Sequence, residues 1–112
     1  MGRFIYESAG GEAHVLPDRV LAHLEIAIGT KFRRGESFPF TIHASELPAG
    51  KGQRVFWMHP SIPVQFGYET PRSQIRINPA WIDALIGAGY SESGLRIVPE
   101  PTAAASRGPL AG

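Results

Sequence analysis

A chain of 112 residues suffices for one domain. With 43% hydrophobic and 19% charged residues it can bury a core, which excludes a chain disordered throughout. A formal net charge of +1 excludes a global field for polyanions, so any nucleic-acid contact must come from a local patch, and the absence of cysteine excludes disulfides, thiolate nucleophiles and Cys-type zinc sites.

Arg3 to Glu7 and Glu12 to Leu16 are short β-prone runs, and the Gly10-Gly11 pair between them predicts a hairpin. Asp18 is the expected N-cap of a first helix that should run to Arg34 and stop at Gly35. At 100° per residue, Val20, Leu21, Leu24, Ala27, Ile28 and Phe32 form one apolar stripe. Ile26 points away from it, beside Ala22 and Gly29, whereas Lys31 lies near the centre of the stripe.

Ser37 to His43 alternates, with Phe38, Phe40 and Ile42 on one face; Pro39, lacking an N–H, predicts an edge strand or a first turn. Arg54 to His59 does not alternate cleanly, so Val55, Phe56, Trp57 and Met58 are expected in a central strand or one buried on both faces. Val64, Phe66 and Tyr68 alternate, and Gln74 to Ile77 is expected as a further strand. Asn78-Pro79 starts a second helix, with Trp81, Ile82, Leu85 and Ile86 inward and Gly87 and Gly89 at its end. Leu95 to Val98 is a last strand. The fold class predicted is α+β: a mostly antiparallel sheet of about five to seven strands, in ββαβββαβ order, against two helices. The domain should span residues 1–100, with 101–112 a disordered Pro/Ala/Gly tail.

No complete catalytic motif is present. Ala49-Gly50-Lys51-Gly52 lacks the opening glycine and the hydroxyl residue of a phosphate loop. His23-Leu24-Glu25 has no Pro-Cys-x-x-Cys partner for deaminase chemistry, and His23 is expected half exposed on a helix flank. His14, His23, His43 and His59 have no ligand spacing for zinc, and no cofactor or metal is expected. Asp18 and Asp83, the only aspartates, read as helix-start residues. Without an apolar run of ~20 residues or a signal-peptide pattern, no membrane partner and a cytoplasmic location are expected.

Two surfaces remain. Lys31, Arg33 and Arg34 cluster at the end of the first helix, where the dipole favours cations; with Arg3, Arg54, Arg72 or Arg76 they would form a patch for nucleic acid. Stacking aromatics are not identifiable, because Phe56, Trp57 and Phe66 read as core. Ala22, Ile26 and Gly29 would let a second helix or sheet approach, the face expected for self-association.

Met1-Gly2-Arg3-Phe4-Ile5-Tyr6, Leu21-Ala22-His23-Leu24, Lys31-Phe32-Arg33-Arg34-Gly35-Glu36-Ser37-Phe38, Trp57-Met58-His59-Pro60-Ser61-Ile62-Pro63 and Gly94-Leu95-Arg96-Ile97-Val98-Pro99-Glu100 follow in order. Together these blocks resemble a family of short actinobacterial single-domain proteins of uncharacterised function, whose members often carry the label ATP-dependent DNA ligase. The label implies a lysyl-adenylate on Lys-x-Asp-Gly. Neither Lys31 nor Lys51 stands in that motif, so no catalytic residue carries over and only a DNA-linked accessory role remains from it. The expectation is a non-catalytic binding or assembly module. It would self-associate through the Ala22/Ile26/Gly29 face or an open sheet edge; the alternative is a DNA-associated accessory protein using the basic helix end.

Overall fold

The computed structural model describes residues 1–7, 13–43, 52–91 and 94–101. The expected hairpin turn, the Lys51 loop and the tail at 102–112 lie outside these. Strands β1 (Gly2–Tyr6), β2 (Ala13–Leu16), β3 (Phe38–His43), β4 (Gln53–Met58), β5 (Val64–Gly67) and β6 (Leu95–Arg96) accompany helices α1 (Asp18–Arg33) and α2 (Pro79–Ala88). The α+β class holds, but the strands form two three-stranded sheets, ordered β2-β1-β5 and β4-β3-β6. Only the β3/β6 pair is parallel.

Phe4 joins the two sheets. Its ring meets Phe40 edge-on at 5.4 Å and Phe56 at 5.3 Å, and lies 5.5 Å from Phe66. Around it Leu16, Leu21, Leu24, Ile28, Ile42, Met58, Leu85 and Leu95 are buried. Complete burial of a side chain of this size contributes about 1.5–3 kcal/mol.

The start of α1 departs from the simplest expectation, whereas its end at Gly35 agrees with it. Pro17, not Asp18, holds the cap position, and no side chain caps the helix. The Asp18 carboxylate instead accepts from the N–H of Thr70 at 2.8 Å and of Glu69 at 3.4 Å. At the other end Gly35 adopts φ +74°, its N–H bonds to the Phe32 carbonyl, and the N–H of Glu36 bonds back to Lys31. This is the glycine C-cap that satisfies the last carbonyls of a helix.

Three strand expectations are corrected. β3, the Pro39 strand, is central, because β6 pairs only with Phe40 and Thr41 and so begins beyond Pro39. β4 is an edge strand, with Phe56 and Met58 turned inward and Val55 and Trp57 outward. Gln74 to Ile77 is not a strand; Arg72–Gln74 is a turn of 3-10 helix, and the chain then runs extended to Asn78.

Segment 68–78 crosses the back of α1. It bonds to Asp18 and Glu25 on one side and to Arg19 and His23 on the other. At 100° per residue those four positions bracket Ala22. The second helix starts as its sequence demands, with the Asn78 side chain accepting from the Ala80 N–H at 3.0 Å and Pro79 in the first turn.

Candidate functional site

At the basic helix end the structure buries Lys31 and leaves Arg33 and Arg34 at the surface. Lys31 is 1% exposed; its ammonium lies 2.8 Å from a Glu36 carboxylate oxygen, 4.0 Å from the Tyr90 ring and 4.9 Å from the Phe38 ring. Lys31 is therefore a buried, paired cation and not an exposed one. The Lys31 hydrogen bond, followed by that from Tyr90, holds the Glu36 carboxyl below the usual range. Arg33 and Arg34 are exposed, Arg34 donating to the Tyr90 hydroxyl at 3.0 Å. Arg72, a proposed companion, pairs with Glu25 at 3.4 Å.

The predicted partner face fares similarly. Ala22 is fully buried beneath the crossing segment, and Ile26 and Gly29 are half-buried. This corrects the reading of three residues presented together.

His23 is not half exposed but fully buried. Its Nε2 accepts from the Asn78 N–H at 2.8 Å, which leaves Nδ1 as the protonated nitrogen, donating to the Arg19 carbonyl at 2.6 Å. The ring stacks on Trp81 at 4.4 Å between centroids. Burial pushes its pKa down, so the neutral tautomer is structural. Nearby, Arg19 forms a two-pronged ion pair with Glu100, one prong at 2.8 Å, and Asn78 donates to the same carboxylate at 2.9 Å. Arg19 first, then Asn78, holds the Glu100 carboxyl down at about 2. These groups fasten segment 94–101 to both helices. Among the described residues no three His, Asp or Glu side chains converge as a metal site.

Among the described residues, the outer face of the β4-β3-β6 sheet presents exposed aromatic and cationic side chains together. Trp57 is 59% and Val55 57% exposed, neighbours on one side of β4. Register places Trp57 beside Pro39, Val55 beside Thr41, Gln53 beside His43, and Arg96 beyond Thr41. Thr41, His43, Gln53, Val55 and Arg96 line an open concavity of about 480 Å³. The Trp57 carbonyl, to which Pro39 can offer no N–H, accepts the Tyr6 hydroxyl. That bond ties the strand carrying the indole to the other sheet. A second open concavity, of about 350 Å³, is lined by Met1, Arg3, Val15 and Glu69, with the Met1 amine paired to Glu69 at 2.8 Å.

Sequence reasoning assigned Trp57 to the core. The signal that could have found it is parity. If Phe38, Phe40 and Ile42 face in, their antiparallel partners Met58, Phe56 and Arg54 do too, and Val55 and Trp57 must face out.

No helix among the described residues is long and apolar enough to cross a membrane. Comparison with curated proteins and with solved structures returned no match. The family model described as "Domain of unknown function (DUF7882)" matches residues 1–100, nearly the whole length of the two-sheet fold and all of the residues above, and the chain belongs to that family.

Proposed function

We propose that this domain is a non-catalytic binding module whose working surface is the outer face of the β4-β3-β6 sheet. The observation that carries the reading is the pair Trp57 and Val55, both more than half exposed and presented side by side on one face of β4. Large aromatic side chains left in water on a rigid strand are the usual anchors of binding surfaces. Against catalysis stand the buried, ion-paired Lys31, the neutral and doubly bonded His23, and the Asp18 and Glu100 carboxylates engaged in holding segments 68–78 and 94–101.

Two measurements test this. Incubation with labelled ATP and magnesium should leave the protein unlabelled; a covalent adenylate would overturn the non-catalytic part. Trp57→Ser and Val55→Thr should leave the thermal midpoint within a few degrees of wild type, since both side chains already lie largely in water. A large loss of stability would show that the pair serves the fold and would remove the face as a binding surface.

A further inference from the structure

Resting on that reading, we infer that the ligand of this face is single-stranded nucleic acid, a base stacking on the Trp57 indole while Arg96 and His43 meet the adjoining phosphates. Three features of the face converge on that chemistry. The indole is held on a sheet, not on a loop, with its strand paired to β3 and its carbonyl bonded to Tyr6, so the stacking platform is set before a ligand arrives. Every base has a π-face, which makes such a platform tolerant of sequence.

The charge of the face matches a polyanion. Arg96 and His43 are exposed, and the side chains that β3, β4 and β6 place on this side (Pro39, Thr41, His43, Gln53, Val55, Trp57, Arg96) include no carboxylate. Arg96 stands two strands from Val55, about 10 Å at ordinary strand spacing, across a concavity of about 480 Å³. That volume falls within the roughly 300–1,000 Å³ of small-ligand sites; Trp57 stands next to Val55 but outside the lining, so the concavity would take the sugar-phosphate adjoining the stacked base. Gln53, beyond Val55 on β4 and beside His43, adds an exposed hydrogen-bonding group.

Competing occupants fit less well. A duplex keeps its bases stacked on one another and offers no free π-face to an indole, and a flat sheet does not enter its grooves as a helix does. A neutral sugar could lie on the indole but has no use for Arg96. A second copy of the chain would bring Arg96 and His43 against a face of the same charge character.

With one stacking residue and few cations, affinity should fall in the roughly 10⁻⁴–10⁻⁶ M range of non-specific nucleic-acid binding. The slope of log K against log salt should be shallow, between about −0.7 and −1.4 for one or two phosphates on a single strand.

The test is NMR titration of the ¹⁵N-labelled full chain with a short thymidine homopolymer. Two indole N–H signals serve as reporters: Trp57, exposed, and Trp81, bonded to the Val98 carbonyl at 2.9 Å. The Trp57 signal and the Thr41 and Arg96 amides should shift while the Trp81 indole stays. Trp57→Ala and Arg96→Glu should each weaken binding about tenfold or more, with the unmoved Trp81 signal showing that the variants fold. Arg33→Glu, at the basic end of α1, should leave binding unchanged. No shift of Trp57 at about 1 mM oligonucleotide in low salt overturns the inference. So does loss of binding on Arg33→Glu instead of Arg96→Glu, or an equal response to duplex or to a neutral oligosaccharide. Trp57 signals that broaden with protein concentration alone would assign the face to self-association, overturning the nucleic-acid inference while the binding-face reading stands. That reading fails separately, through a collapse of stability in Trp57→Ser.

Discussion

His23 gives the sharpest test of how the two helices are joined. Replacing it with leucine keeps an apolar side chain against Trp81 but removes the acceptor of the Asn78 N–H at the start of α2. A buried donor left without a partner costs about 1–3 kcal/mol. The Arg19 carbonyl suffers less, because it keeps its helical bond from the backbone of residue 23. For a domain of this size the loss corresponds to a fall of roughly 5–20 °C in thermal midpoint. The pH dependence is more diagnostic. Burial lowers the His23 pKa from its ordinary 6.5, so below 6.5 the unfolded chain takes up a proton that the folded one refuses. Stability is then fully present above 6.5 and declines as pH falls towards the lowered folded value, by about 1.4 kcal/mol per pH unit. Urea unfolding of wild type and His23→Leu, from about pH 7.5 down to about 5, should show the stability gap narrowing at that slope below 6.5. His14, buried in both proteins, drops out of the difference. A gap constant across that range would refute the assignment of His23 as a buried neutral acceptor.

Glu100→Gln should loosen segment 94–101 and lower the thermal midpoint at neutral pH. Because Arg19 and Asn78 depress the Glu100 carboxyl from 4.5 to about 2, its contribution is present above 4.5 and lost as pH falls through that interval. The variant should therefore lack that part of the acid loss, and an unaltered acid limb would contradict the strap. Gly94→Ala should destabilise by more than about 1 kcal/mol, because φ there is +77° and the new methyl would collide with the Pro39 carbonyl and ring. A midpoint equal to wild type would show the β3/β6 junction to be looser than drawn. Glu36→Gln should lower the thermal midpoint by leaving the Lys31 ammonium buried beside Tyr90 without its carboxylate, whereas Lys31→Met should hold or raise it. The opposite order in calorimetry would show that the ion pair itself, not mere tolerance of a charge, stabilises the helix end.

Much of the local architecture was legible because short-range chemistry decides it. Gly35 had to follow the first helix, Asn78-Pro79 had to open the second, and Phe38, Phe40 and Ile42 had to share one face. Misreadings arose where one segment's surroundings are supplied by another distant in sequence. His23 and Ala22 are covered by segment 68–78, of which Gln74 to Ile77 reads as a strand. Lys31 finds its carboxylate just past the helix, and its aromatic cover fifty-odd residues on at Tyr90.

The sequence by itself determined the α+β class, the positions of both helices and the absence of a complete catalytic motif, since periodicity, capping and motif spacing are properties of consecutive residues. The tertiary structure alone decided which apolar residues face water. Trp57 and Val55 could equally have filled a core; the register with β3 put them on the side opposite Phe56 and Met58, where they lie in water, and that register is a pairing between strands that no local pattern records.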